Sequence, residues 1–250
     1  MSLQFGIKEV YNLVLSDFLT NKPFVYVDYA EAATNENSAE RTDLRGGQGN
    51  YKLLGFDHTK DSSLALTLPL VDLKLLALLA GEDLVEGASD VYKREELSVV
   101  DNVGVMEITL TDPPTAITTL VVNALDGERD FGTEYVVTLV SGNVYSLTGA
   151  TEGEVVTAFY QYATPVTARK ISIKANKFPK TVKIHGDGLW RDQVTETDKV
   201  VKMTIHKAKP QLSYTLTTSA SDAATLEVTF DMYALKDENG DMSYIDYVIL

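Results

Sequence analysis

A segment rich in arginine and glycine is the first place in this sequence where phosphate could be bound. Residues 39–55 read AERTDLRGGQGNYKLLG, and the candidate contact positions in it are Arg41, Arg45, Gly46, Gly47 and Gly49. A glycine-rich phosphate loop needs the form GxxxxGK followed by Ser or Thr, and a helix whose N-terminus receives the anion. This segment has neither, and it is not GxGxxG. We therefore predict a long structural or intersubunit loop whose glycines supply positive φ or a close approach to another chain.

No other group of residues predicts catalysis. The three histidines lie far apart with no HExxH pair, and the sequence has no GxSxG nucleophile elbow. The chain has no cysteine, which excludes disulfides, thiolate nucleophiles and the usual zinc sites. Glu95 and Glu96 are adjacent and would point to opposite faces of a strand, so they cannot act as a glycosidase pair. We expect neither enzymatic activity nor a metal or other cofactor.

An acidic segment near the C-terminus offers a second ligand-binding alternative. Residues 237–241 read DENGD and could supply oxygen ligands for calcium. An EF-hand loop needs glycine at its sixth position, but Gly240 is fourth and Met242 is sixth when Asp237 is first. Asn239 followed by Gly240 is a strong signal for a type I′ hairpin turn, which we favour here.

A single tryptophan adds a candidate contact site of another kind. Trp190 is followed by Arg191, and an exposed Trp–Arg pair could anchor a protein partner. More often, a lone tryptophan simply caps a hydrophobic core. Both interpretations stay open, and we include the two residues among the candidate subunit-interface positions.

The charge of the chain argues against tight binding of nucleic acid. The formal net charge is −14, whereas affinity for a phosphate backbone needs clustered Lys and Arg. The charge is unevenly placed: residues 166–210 carry eleven basic and four acidic side chains, a local +7, which leaves −21 elsewhere. Such asymmetry could orient copies of the chain against each other, although a solvated charged strand face would have the same composition.

The sequence predicts a protein without a membrane partner. The longest apolar run, LALTLPLVDLKLLALLAG, is interrupted by polar residues and proline, and it falls short of a continuous span of roughly 20 apolar residues. The first ten residues lack a basic and then an apolar region, so we expect synthesis in the cytoplasm.

Strand signals dominate the elements that must position these residues. Segments 10–19 and 24–34 predict a hairpin around the turn NKP, and 71–81 predicts the one convincing helix, with Asp72 as N-cap and Gly81 at its end. From about residue 88 the pattern is almost purely β, apart from a polar stretch, DGLWRDQVTETDK, that interrupts the strands. One elaborated β-sandwich would fit, but we prefer a β core of residues 1–94 and 166–250 that is interrupted by a β-sandwich-like insertion at 95–165.

Several segments, taken in order, resemble tail tube proteins of large tailed bacteriophages. They are FGIKEV near the start, SAERTDLRGGQGNYKLLGFDHTKDSSLALTLPLVDLKLLALLAG in the first third, and ARKISIKANKFPKTVKIHGDGLWRD with VVKMTIHKAKPQ in the last third. The likeness covers roughly residues 5–81 and 166–250. The middle of the chain does not share it.

This resemblance implies a mainly β fold of tube-like sandwich or barrel form, with one buried helix. It implies a structural virion protein of the tail that forms stacked hexameric rings around a conduit for DNA, with DNA passing through the lumen without specific binding. Further implied partners are tail sheath, baseplate and tape-measure proteins. On this view Arg41 and Arg45 pair with acidic groups of an adjacent subunit. The alternatives are another tail component, such as a baseplate or tail-terminator protein, and a carbohydrate-binding β-sandwich module that uses Trp190 and the tyrosines.

Overall fold

The computed structural model describes residues 4–126, 130–217, 224–236 and 240–250. Strands make up 61% of the described residues and helices 5%, which confirms the prediction of a mainly β fold. Three residues of the candidate calcium segment, 237–239, lie outside the described residues. The short strands on either side of them, Leu235–Lys236 and Met242–Ser243, pair antiparallel.

The chain forms two compact units, residues 1–84 with 171–250 and residues 85–170. The elements of the first part are β1 (Phe5–Ile7), β2 (Asn12–Asp17), β3 (Pro23–Val27), β4 (Ala32–Gly46), β5 (Tyr51–Leu68) and helix α1 (Leu73–Ala80). Residues 85–170 contain β6 (Val85–Glu86), β7 (Asp90–Ser98), β8 (Val100–Asn102), β9 (Val105–Thr109), a 3₁₀ turn (Ile117–Thr119), β10 (Val121–Asp126), β11 (Asp130–Glu134), β12 (Val136–Ser141), β13 (Val144–Thr148), β14 (Val155–Ala163) and β15 (Arg169–Lys170). The last part contains β16 (Val182–Asp192), β17 (Asp198–Pro210), β18 (Thr215–Thr217), β19 (Thr225–Met232), β20 (Leu235–Lys236), β21 (Met242–Ser243) and β22 (Ile245–Ile249).

The first unit is built on one ten-stranded antiparallel sheet. Its main order is β3-β2-β16-β17-β19-β5-β4, with β1 added to β16, β18 to β19 and β22 to β17. One core contains side chains from both halves of this sheet, such as Leu13 and Ile184 from one half and Leu66 and Phe230 from the other. The sheet therefore folds over on itself around a single apolar interior, which hydrophobic burial stabilises.

Helix α1 closes this core, as its sequence predicts. Oδ1 of Asp72 accepts hydrogen bonds from the backbone N–H of Lys74 at 2.6 Å and of Leu75 at 3.0 Å, which satisfies two otherwise unpaired donors. Gly81 ends the helix with φ of +70°, and its N–H donates to the carbonyl of Leu78. The buried leucines of the helix, among them Leu75 and Leu79, pack into the core.

The second unit has two four-stranded antiparallel sheets, β11-β10-β14-β7 and β12-β13-β9-β8. Their inner faces share a core that includes Val122 and Tyr160 from one sheet and Ile108 and Leu147 from the other. Strand β7 runs across position 95, the start of the insertion proposed from sequence, and it pairs along its whole length with β14.

The prediction of a long loop at 39–55 was wrong. Strand β4 continues to Gly46 and β5 begins at Tyr51, so this segment is the end of an antiparallel hairpin. Its side chains are exposed on both faces, and a strand that buries neither face lacks the apolar alternation by which strands are recognised.

Two further predictions in the last third need correction. Of the segment ARKISIKANKF only Arg169–Lys170 forms a strand. The polar stretch DGLWRDQVTETDK interrupts the strands only at residues 193–197, because β16 runs to Asp192 and β17 begins at Asp198. The glycines of this stretch have a packing role. A Cβ on Gly188 would lie 2.6 Å from the ring of Tyr11, so glycine lets that ring lie flat on the strand.

Candidate functional site

The hairpin of β4 and β5 projects from the first unit. Strand β5 pairs with β19 only from Ser63 to Leu68, whereas residues 51–62 pair with β4 alone. We call residues 38–61 the distal ribbon. All of its side chains are exposed except Asp43, which is half-buried. A two-stranded hairpin without a packed face is only marginally stable in water, so the distal ribbon is a candidate for burial against another chain.

The turn at the tip explains the glycines that the sequence marks. Gly47 has φ of +80° and Gly49 has φ of +100°, so the expectation of positive φ is confirmed at these two positions. Gly46 lies in β4, and a Cβ there would come within 3.2 Å of Leu53. The glycines therefore permit a tight reversal between two long strands.

Both candidate arginines of the distal ribbon form ion pairs within their own chain. Arg41 binds Asp57 directly across the hairpin through two contacts of 2.5 and 3.0 Å, and this hydrogen bonding holds the pKa of Asp57 below its usual value. Arg45 lies 3.4 Å from Asp43. Because the side chains of Arg41, Asp57 and Arg45 are at least half exposed, these pairs contribute little to stability.

An apolar patch on the distal ribbon was missed by the sequence analysis. Leu44 pairs directly with Leu54, and Phe56 lies two residues further on the same face. Their exposed fractions are 50%, 57% and 57%. We call these three residues the ribbon patch. Leu54 and Phe56 stand at alternate positions, which is a signal for a strand, but the prediction of a loop did not use it.

Trp190 lies on β16, among aromatic side chains of its own chain. Its ring centroid is 6.3 Å from that of Phe5 and 5.7 Å from that of Tyr247, and its indole N–H donates to the hydroxyl of Tyr11 at 2.9 Å. It therefore holds β1 and β22 against β16. The role of Trp190 as a contact for another subunit stays a prediction.

Residues 5–245 match the model of the YomU/Tube protein family. The chain belongs to this family. No curated protein matches the chain with significant similarity. Membership confirms the predicted resemblance to phage tail tube proteins. The chain is thus a tube-like structural protein of phage origin and a component of the virion tail, in a family that is typically not enzymatic.

In this YomU/Tube protein Arg191, the candidate interface residue next to Trp190, also forms an ion pair within its own chain. Its Nε and Nη2 atoms lie 2.7 and 3.1 Å from the carboxylate of Asp198, and Lys8 donates to the same carboxylate at 3.1 Å. Hydrogen bonds from Arg191 first, and then from Lys8, lower the pKa of Asp198 to about 2. This triad of Arg191, Asp198 and Lys8 links the strands β16 and β17 to the segment that follows β1.

We expect this triad to make stability depend on pH under acidic conditions. The pKa of Asp198 is lower in the folded chain than the roughly 3.9 of an unfolded one, so its contribution is present above about pH 4 and is lost as the pH falls toward 2. We expect urea unfolding at a series of pH values to show that the parent has a higher free energy of unfolding than Asp198→Asn above about pH 4. This difference should shrink as the pH falls toward 2. Asp187→Asn, which removes a carboxylate from the same pair of strands, is the matched control. A difference in unfolding free energy between the parent and Asp198→Asn that does not change with pH would contradict this role of Asp198.

Two clefts of the first unit offer no catalytic arrangement in the part of the chain that the structure describes. One, of about 420 Å³, lies beside α1 and is lined by Lys22, Lys74, Glu82 and Lys180 among others. The other, of about 570 Å³, lies at the base of the distal ribbon and includes Glu36, Asp61 and Asp231. Within the described ranges no three histidine or carboxylate side chains are placed to hold a metal ion, and no helix is long and apolar enough to cross a bilayer.

Proposed function

We propose that this YomU/Tube protein is a tail tube subunit that assembles into stacked hexameric rings, and that the rings form the conduit through which DNA is delivered. The observation that carries the proposal is the distal ribbon, an exposed two-stranded projection with the ribbon patch on one face. Family membership supports a tube-like structural role. The hexameric rings and the DNA conduit are our proposal.

The partner that best suits the distal ribbon is a second copy of the chain. Exposed apolar groups and unpaired strand edges favour association, and a protein that repeats along a tube offers the same complementary surface at every step. The charge distribution supports the same partner, because a segment of +7 and a remainder of −21 attract each other between copies.

The candidate interface residues fit this proposal in different ways. The ion pairs of Arg41 and Arg45 are exposed, so either arginine can exchange its partner for a neighbour's carboxylate at little cost. The turn glycines allow close approach of another backbone at the tip. Trp190 and Arg191 would act beside β1 and β22, where the side chain of Arg191 is 51% exposed.

The acidic composition suits a conduit for DNA. A chain of charge −14 repels phosphate, so DNA could slide past without adhering. We further propose assembly in the host cytoplasm and contacts with sheath, baseplate and tape-measure proteins at the outside and the ends of the tube.

Electron microscopy of the purified full-length chain tests the proposal. We expect hollow tubes of uniform width that show six-fold symmetry in cross-section. Isolated rings that never stack would instead indicate a tail-terminator or baseplate protein. Monomers that bind glycans in a parallel array would indicate a carbohydrate-binding module, and either result would overturn the tube proposal.

A further inference from the structure

The C-terminal strand reaches across to the base of the distal ribbon. The hydroxyl of Tyr244 donates to the backbone carbonyl of Lys60 at 2.6 Å, on β5. The side-chain amide of Asn35, on β4, donates to the hydroxyl of Tyr247 at 2.9 Å. Both strands of the hairpin are therefore held from the same short C-terminal segment, and these contacts join residues that are 184 and 212 positions apart.

The C-terminal segment is itself fixed to the body of the first unit. Strand β22 pairs with residues 201–205 of β17. Asp246 is held on both oxygens, by His206 at 2.7 Å and by the hydroxyl of Ser243 at 2.7 Å. The ring of Tyr247 also packs against Trp190. Because this segment is fixed to the sheet, its tyrosines can restrain the position of Lys60 and Asn35, the hairpin residues that they contact.

The hairpin has a β-bulge next to the Tyr244–Lys60 contact. Thr59 has φ of +49°, which is unusual for a β-branched residue, and the pairing register shifts between Ala39 and Glu40 opposite it. An extra residue in one strand bends and twists a hairpin locally. The direction of the distal ribbon is thus decided within one residue of Lys60, the residue that Tyr244 holds.

A cleft lies close to this bulge, between the hairpin and the body of the first unit. The cleft of about 570 Å³ is lined by Glu36 and Asp61 from the hairpin and by Asp231 and Tyr244 from the body. Tyr244 lines this cleft on the side of the body, and its hydrogen bond to Lys60, the neighbour of Asp61, is a direct link from the body to the hairpin.

We infer that β22 with Tyr247, together with Tyr244 immediately before it, is a brace that sets the angle at which the distal ribbon leaves the body. Tyr244 and Tyr247 are positioning residues: they act on the ribbon without belonging to the ribbon patch. The inference concerns a single subunit and so goes beyond the proposed tube function. It implies that the ribbon is already oriented before any second copy is met, which lowers the ordering cost of association.

Distance measurements between two spin labels test the brace. Because the chain has no cysteine, Gln48→Cys at the tip and Lys22→Cys on the body give one labelled pair per molecule. The full chain is diluted with unlabelled protein so that only distances within one subunit are recorded. In the Tyr244→Phe/Tyr247→Phe variant we expect more molecules than in the parent to show a changed distance between the tip and the body. The ratio of displaced to undisplaced molecules should rise about fivefold for each hydroxyl removed, which corresponds to the loss of one ordinary hydrogen bond.

Two further variants make the test specific. Asn35→Ala removes the partner of Tyr247 without changing β22, so it should displace the ribbon to the same degree as Tyr247→Phe alone. Tyr26→Phe on β3, whose side chain is exposed, should leave the distances unchanged. A distance distribution in the double tyrosine variant that superimposes on that of the parent would overturn the brace, whether or not the protein forms tubes.

Discussion

Replacing Leu44, Leu54 and Phe56 together with serine is expected to abolish tube formation while leaving the subunit folded. These three side chains form the ribbon patch and are at least half exposed in the single chain. Full burial of such a side chain contributes roughly 1.5–3 kcal/mol, so the half still available at a contact contributes about 1 kcal/mol each. Loss of about 3 kcal/mol weakens one contact by about two orders of magnitude. A tube repeats this contact at every subunit, so the losses accumulate.

Sedimentation and electron microscopy measure the outcome, and circular dichroism checks the fold. The matched control replaces three exposed apolar residues of the second unit, Val136, Leu139 and Val140, with serine. This control removes a similar exposed apolar area from a strand outside the ribbon, so we expect tubes at the parent yield. Tubes of parent length and yield from the ribbon variant would rule out the patch as the contact.

Gly81→Ala is expected to cause the largest loss of stability. Gly81 has φ of +70° at the end of α1, where an L-residue costs about 1–2 kcal/mol. A Cβ at this position would also lie 2.5 Å from the carbonyl oxygen of Phe178, a backbone atom that cannot rotate away. Together these effects should lower the free energy of unfolding by about 3 kcal/mol or more, since close overlap in a packed region is costly.

Urea unfolding compares this variant with Gly240→Ala. Gly240 belongs to the same unit and has φ of +89°, but a Cβ there would meet no atom of the described residues within 4 Å. The control therefore carries the backbone cost without the overlap. Equal losses of unfolding free energy for the two variants would show that the end of α1 and the backbone of Phe178 are not in close contact.

Helix α1 shows what local sequence can establish. Asp72 supplies the N-cap, Gly81 supplies the left-handed residue at the end, and most of the leucines between them are buried in the core. These signals lie within ten residues of each other and agree, so both ends of the helix were predicted within two residues. The hairpin of β2 and β3 was predicted for the same reason, although its second strand ends at Val27.

The distal ribbon shows where local sequence fails. Strand recognition depends on one buried face, and the ribbon has none in the single chain. The glycines correctly indicated an unusual backbone at Gly47 and Gly49, but they could not reveal that long paired strands flank the turn. The brace was equally beyond reach, because the bond from Tyr244 to Lys60 depends on how the whole sheet folds.

Force applied to the tip along the axis of the distal ribbon would not peel its strands apart one bond at a time. Both strands would be pulled together, and the load would pass to the ladder between β5 and β19, where Ser63–Leu68 faces Asp231–Leu226. Hydrogen bonds in such a ladder lie perpendicular to the strands, so axial tension shears all of them at once. Architecture of this kind resists tension far better than a hairpin that opens from its end, and it suits a subunit gripped at its tip by a neighbour.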